Sequence, residues 1–315
     1  MSVLSEKHFH NEAAAYRFVE KRVWPNGPIC PHCGGVERIS PMKGKSTRIG
    51  TYKCYQCRKP FTVKIGTIFE SSHVKMHLWL QAIFLMASSK KGISSNQLHR
   101  TLGVTLKTAW FMSHRIREAM RGGGLAPLGG NGQVVEADET YFGKQKTPHI
   151  SPQRGDRPYK YKAKGPRDKR AILGLIERGG SVRSFHIAQA TKVNVAKLVS
   201  ENISFESVLY TDESRLYPKI GKKFAEHETV RHSTGEYVRG DVHSNTIESY
   251  FSIFKRGMRG TYQHCAEKHL HRYLAEFDFR HNRRVALGVN DTARANRILF
   301  GIVGKRLTYE TTLAR

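Results

Sequence analysis

Val134-Val135-Glu136-Ala137-Asp138-Glu139-Thr140-Tyr141-Phe142 opens the C-terminal block of the chain. Its β-branched and aromatic residues read as a strand, and the two-residue period puts Glu136 and Asp138 on one face and Glu139 on the other. Further strand-like runs follow at Ala171-Ile-Leu-Gly-Leu-Ile176, residues 182–187 and Val208-Leu-Tyr-Thr211, alternating with helical stretches. That alternation predicts an α/β domain over residues 133–300. Residues 144–170, rich in Lys, Arg, Gly and Pro and without periodicity, read as a basic hairpin or loop between the first two strands.

Two more acids stand out downstream. Asp212 ends the apolar run Val208-Leu-Tyr-Thr-Asp, although an Asp at a strand end also serves as a turn or cap residue. His243-Ser-Asn-Thr-Ile-Glu-Ser-Tyr-Phe-Ser-Ile-Phe-Lys-Arg256 reads as a helix start followed by an apolar face of Ile247, Phe251 and Phe254. Asn245 with Glu248 three residues on also fits a capping box, Asn replacing Ser or Thr. The arrangement favours a functional reading: thirty-five residues separate Asp212 from Glu248, and Lys255 lies seven beyond, two turns along the same face.

Upstream, Cys30-Pro-His-Cys33 and Cys54-Tyr-Gln-Cys57 are two C-x2-C pairs separated by twenty residues. The spacing suits tetrahedral Zn²⁺ held by two facing knuckles, and four thiolates close the shell, so this metal is expected to hold a fold over residues 20–70 rather than perform chemistry. A redox role for either pair is the alternative, but no βαβ unit surrounds them. Cys265 has no paired cysteine and reads as a free thiol.

Residues 74–121 change to helical periodicity. Leu78, Ile83, Leu85 and Met86 form one apolar face. Ser94 or Ser95 then caps a short helix that Gly103 breaks, and Thr105 or Thr108 opens another to about Met120. Two helices joined by such a turn, the second carrying Lys107, His114, Arg115 and Arg117, match a helix-turn-helix whose second helix enters the DNA major groove. An ordinary three-helix bundle with solvated charges is the alternative. The glycine-rich run 122–132 reads as a linker.

Composition bounds the partners. Against 26 Asp+Glu stand 53 Lys+Arg, a formal net charge of +27, which favours a polyanion because each neutralised phosphate releases counterions. A merely solvated basic surface is the bland alternative. The longest apolar stretch, near residues 78–87, is interrupted by Gln81 and is far short of the ~20 residues a membrane span needs. Met1 to Asn11 is polar with no apolar segment after it, and five unevenly placed cysteines argue against a disulfide framework, so a cytoplasmic location is expected.

Taken together, Cys30/Cys33/Cys54/Cys57, Ala137-Asp138-Glu139-Thr140-Tyr141, Thr211-Asp212-Glu213-Ser214, and His243-Ser-Asn-Thr-Ile-Glu248 with Lys255 resemble the DDE-type insertion-sequence transposases that carry an N-terminal zinc ribbon, the fifteen-ninety-five insertion-sequence family. The resemblance covers nearly the whole chain. It implies a multi-domain protein: zinc ribbon, helix-turn-helix and an α/β ribonuclease H-like catalytic domain. It further implies Asp138 and Asp212 as ligands of catalytic Mg²⁺ or Mn²⁺, with either Glu or Asn as the third residue. Glu248 is preferred to Asn245 because a carboxylate neutralises a metal better than an amide. The implied activity is cleavage at the 3′ ends of an element and strand transfer into target DNA. Double-stranded DNA is the partner, bound by a homodimer or higher oligomer, with Lys107, Arg115, Arg117, Lys255 and Arg256 as DNA contacts. The rivals are a non-catalytic DNA-binding regulator, or a domesticated transposase, and a metal nuclease without strand transfer.

Overall fold

The computed structural model describes residues 2–122, 126–145 and 169–308. Its contacts divide into two units, Met1–Arg121 with Arg283–Arg315, and Gly122–Asn282. Most of the predicted basic hairpin, residues 146–168, lies outside the described residues.

The first unit begins with α1 (Glu12–Val23), capped by the Asn11 side chain on Ala14 N. The antiparallel ribbon β1 (Ile39–Pro41), β2 (Tyr52–Cys54) and β3 (Pro60–Phe61) follows. Glu12 then accepts from Met76 N and His77 N, supplying the cap that α2 (Met76–Ser88) lacks from its own flanking residue, Lys75. Ser94 caps α3 (Ser95–Leu102), Gly103 ends it at φ 63°, and Thr105 caps α4 (Leu106–Met120). Helix starts and stop thus fall where the capping residues place them. The buried face of α2 is centred on Trp79, Ile83 and Met86, and Leu78 and Leu85 are only half-buried. α9 (Asp291–Phe300) packs on α2 within this unit, and Arg294 donates from it to Ala87 O, the carbonyl just before the last residue of α2. Residues 283–300, expected in the catalytic block, therefore belong to the N-terminal unit.

The second unit is built on a sheet of β4 (Val134–Lys144), β5 (Lys169–Glu177), β6 (Val182–Ile187), β7 (Val208–Asp212) and β8 (Glu226–Val230), in the order β6-β5-β4-β7-β8 among the described residues. β4, β5 and β6 pair antiparallel, and β7 and β8 extend the sheet in parallel from β4. Val135, Ala137, Leu173 and Leu175 point to one face, against Val195 and Val199 of α5 (Lys192–Asn202) and Ile220 of α6 (Pro218–Gly221). Ile172 and Ile176 point to the other, against α7 (Asn245–Gly257) and α8 (Leu270–His281). Helices on both faces of a mixed sheet confirm the α/β expectation. The glycine-rich run is more than a linker: Leu128 is buried in this core, its N–H donates to Asn202 O and its carbonyl accepts from Ser204 N.

Candidate active site

The parallel register pairs Ala137 with Thr211, so the next residue on each strand, Asp138 and Asp212, stand side by side at the same level of the sheet. Glu139 alternates to the opposite face yet brings an oxygen to the same place. Among the described residues, Asp138, Glu139 and Asp212 each offer a carboxylate oxygen within 4.8 Å of the others. The buried Tyr217 hydroxyl donates to Glu139 Oε1, and Ser214 N donates to Asp212 at 3.0 Å.

Burial and mutual proximity set the electrostatics of these acids. Burial first, then Asp212 and Glu139, push Asp138 up to about 8. Burial likewise pushes Glu139 up to about 7, against the opposing hydrogen bond from Tyr217. Asp212 is raised, again chiefly by burial. Desolvated carboxylates this close repel when ionised, and a divalent cation removes that repulsion; an all-oxygen donor set suits hard ions such as Mg²⁺ or Mn²⁺.

α7 approaches this cluster across β5. Asp138 pairs with Gly174, where an added Cβ would lie 2.6 Å from Phe251 and 2.7 Å from Ile247, so the absent side chain is what lets α7 lie on the sheet. Glu248, exposed, accepts from Ser244 Oγ at 3.0 Å, lies 3.8 Å from His232 Nε2, and raises both Asp138 and Asp212 electrostatically. It stands outside the 4.8 Å group. Lys255 is half-buried, lowered by that burial and held up in part by the charge of Asp138, while Arg256 is exposed.

Asn245 is not a cap. It is the first residue of α7 and exposed, and the cap position belongs to Ser244. The first turn is satisfied instead from the sheet: fully buried Glu136 accepts from Thr246 N at 2.9 Å, Ile247 N at 3.0 Å and Thr246 Oγ1 at 2.8 Å. Sequence reasoning placed Glu136 on the Asp138 face but gave it no role, because the residues it holds lie 110 positions away. It also missed Glu139 as a member of the acidic cluster and Tyr217 as the residue that holds it.

Elsewhere, the four cysteine sulfurs converge: Cys30 to Cys57 and Cys33 to Cys54 are each 3.7 Å, and all four lie within 4.8 Å. Zn–S bonds of about 2.3 Å in a tetrahedron require edges of about 3.8 Å, so the residues fit the ion. Lys107 is exposed in the first turn of α4. Arg115 and Arg117, expected at a DNA surface, are buried instead. Arg115 donates to Ile68 O, Glu70 O and Leu307 O at 2.6, 2.7 and 3.0 Å, and Arg117 to Ser113 Oγ at 3.0 Å. Their guanidiniums satisfy loop carbonyls and a helix hydroxyl, which periodicity could not reveal because a charge on a helix reads by default as solvated. Among the described residues, no helix is long and apolar enough to cross a membrane.

A family model for the ISXO2-like transposase domain of the IS1595 type matches residues 127–282, close to the limits of the second unit. The transposase zinc-ribbon domain of the same type matches residues 10–60. A protein of the transposable element ISH50 of Halobacterium salinarum is 29% identical over 280 residues, 87% of this chain and 92% of that protein. Among solved structures, a simian T-cell lymphotropic virus intasome in complex with PP2A regulatory subunit B56 gamma aligns at a TM-score of 0.29 and 14% identity over 57% of this chain, which spans 63% of that one. The Mos1 strand transfer complex aligns at 0.28 and 12% over 70% and 72%.

Proposed function

We propose, for a chain that belongs to the IS1595 family of ISXO2-like transposases, that it binds the terminal repeats of an insertion sequence and catalyses metal-dependent 3′-end cleavage and strand transfer into target DNA. The observation that carries this reading is the juxtaposition of Asp138 and Asp212 on adjacent strands, joined by Glu139 and overlooked by α7. The sheet is read as ribonuclease H-like, in support of which stand its antiparallel half, its parallel half and the acids on β4 and β7.

Asp138 and Asp212 would hold Mg²⁺ or Mn²⁺, with Glu248 as third ligand and Asn245, one turn back on the same helix face, as the alternative. When bound, two such ions supply an activated nucleophilic oxygen and charge stabilisation at the leaving oxygen of a phosphodiester. The chain's own residues do the rest. The carboxylates hold their positions on two adjacent strands, and the buried Tyr217 fixes Glu139 by a hydrogen bond. Lys255, beside Asp138, and exposed Arg256 offer cations to a phosphate. Recognition is assigned to the zinc ribbon and to α3 and α4 as a helix-turn-helix, with Lys107 as the DNA contact. Arg115 and Arg117 support that unit from inside. A homodimer or larger assembly would pair the two ends. The test is to incubate the protein with a labelled element-end duplex, unlabelled target and Mg²⁺. Nicked ends and joined products are expected; binding without either product identifies a regulator.

A further inference from the structure

α7 is fastened to the sheet at its first turn by one ionic cluster centred on the buried Glu136. Glu136 Oε2 takes the N–H groups of Thr246 and Ile247; Oε1 takes Thr246 Oγ1 and, at 2.8 Å, Arg178 Nε. Four donors leave no lone pair idle in a carboxylate with no solvent exposure. Arg178, the residue just after β5, extends the cluster: it donates to Asp241 O at 2.7 Å and to His243 O at 3.0 Å, meets His243 Nδ1 at 2.9 Å, and lies 4.8 Å over the Tyr210 ring. The strand that carries Asp138, the strand that leads into Asp212, and the loop that leads into α7 are thereby joined at one point. A negative carboxylate at a helix N-terminus also meets the favourable end of the helix dipole.

We infer that Glu136, two residues before Asp138 on the same face of β4, is a positioning residue for the metal site: it sets the height of the first turn of α7, and so the reach of Glu248 or Asn245 toward Asp138 and Asp212. The inference rests on the reading of those acids as metal ligands. Its energetic basis is the asymmetry of buried polar groups. In Glu136→Gln an amide NH2 replaces one acceptor oxygen and faces N–H donors, so the first turn must shift or leave groups unpaired. A shift of about an ångström in a ligand's carrier is enough to impair catalysis. Gly174 under α7 leaves the helix no slack to compensate on that side.

The test measures Mn²⁺ binding to the full-length protein by electron paramagnetic resonance, alongside thermal melts and element-end cleavage, in the parent, Glu136→Gln, Thr246→Val and Asp138→Asn. Glu136→Gln should weaken Mn²⁺ binding and slow cleavage by roughly 10- to 100-fold each, the range for residues that orient ligands, with affinity for element-end DNA unchanged. Thr246→Val, which removes one donor and keeps the backbone caps, should show a smaller loss in the same direction. If Glu136→Gln does not fold, Thr246→Val decides. A folded variant with lower melting temperature but the parent's Mn²⁺ affinity overturns the inference and leaves the metal reading standing. Equal Mn²⁺ binding by the parent and Asp138→Asn overturns both.

Discussion

Tyr217, buried beneath the sheet, donates its hydroxyl to Glu139, a carboxylate on the strand whose neighbouring residue is Asp138. This hydrogen bond opposes the burial that raises Glu139 to about 7. Removing it in Tyr217→Phe should raise Glu139 further, since hydrogen bonding to the ionised form favours that form. Metal binding needs the carboxylate ionised, so the acidic limb of the cleavage rate profile should move to higher pH. Loss of the bond should cost roughly 1–3 kcal/mol of stability, as for a hydrogen bond to a charged group. A pH–rate profile identical to that of the parent would show that Glu139 takes no part.

The same acids predict how stability depends on pH. Asp138 and Glu139 titrate in the fold at about 8 and about 7, above their unfolded values near 4. Between those limits the folded state binds more protons than the unfolded one, so metal-free stability falls as pH rises from about 4 to about 8. Mg²⁺ should reverse the loss, because binding to the folded state alone stabilises it. Melting curves at pH 5 and pH 8, with and without Mg²⁺, should therefore show the larger metal-induced rise at pH 8. An equal rise at both would contradict the shared-site electrostatics.

Arg115 and Lys107 should separate folding from DNA contact. Arg115→Ala strands three buried or half-buried carbonyls and should destabilise the N-terminal unit by about 3 kcal/mol or more. Lys107→Ala, at an exposed position, should change stability by less than about 0.5 kcal/mol. If Lys107 meets a phosphate, its removal should lower the salt dependence of binding by about one unit of slope. Chemical denaturation and a salt titration of binding check the pair.

Much of this is legible in the sequence. The two C-x2-C pairs, the cap residues Ser94 and Thr105 with Gly103 between their helices, and the apolar runs of β4, β5 and β7 each carry a local signal. Asp138 and Asp212 were legible as acids on strands, but their adjacency depends on strand order, which no local pattern encodes. Glu136 is mute because its partners lie far along the chain, on α7 and just past β5. Arg115 and Arg117 misled, since the carbonyls that receive Arg115 come from residues 68, 70 and 307, distant in sequence. Asn245 and Glu248 have the spacing of a capping box, yet that capping is done by a residue from the sheet.

Because Asn245 caps nothing essential, Asn245→Ala should leave stability within about 0.5 kcal/mol of the parent. Glu248→Gln should abolish cleavage if Glu248 is the third ligand. The reverse result, with Asn245→Ala inactive and Glu248→Gln tolerated, moves the ligand one helical turn toward the start of α7. Cleavage kinetics on the two variants, with melts to confirm folding, decide between them.

The most direct measurement is Mg²⁺-dependent cleavage of a labelled element-end duplex by the parent, Asp138→Asn and Asp212→Asn, with binding of the same duplex measured in parallel. Cleavage by the parent and none by either variant is predicted, with DNA binding retained or slightly tighter, since each change removes a negative charge that faces phosphate. Cleavage that survives both substitutions, or a parent that binds the ends but cuts under no divalent metal, would contradict the account and leave a DNA-binding regulator in its place.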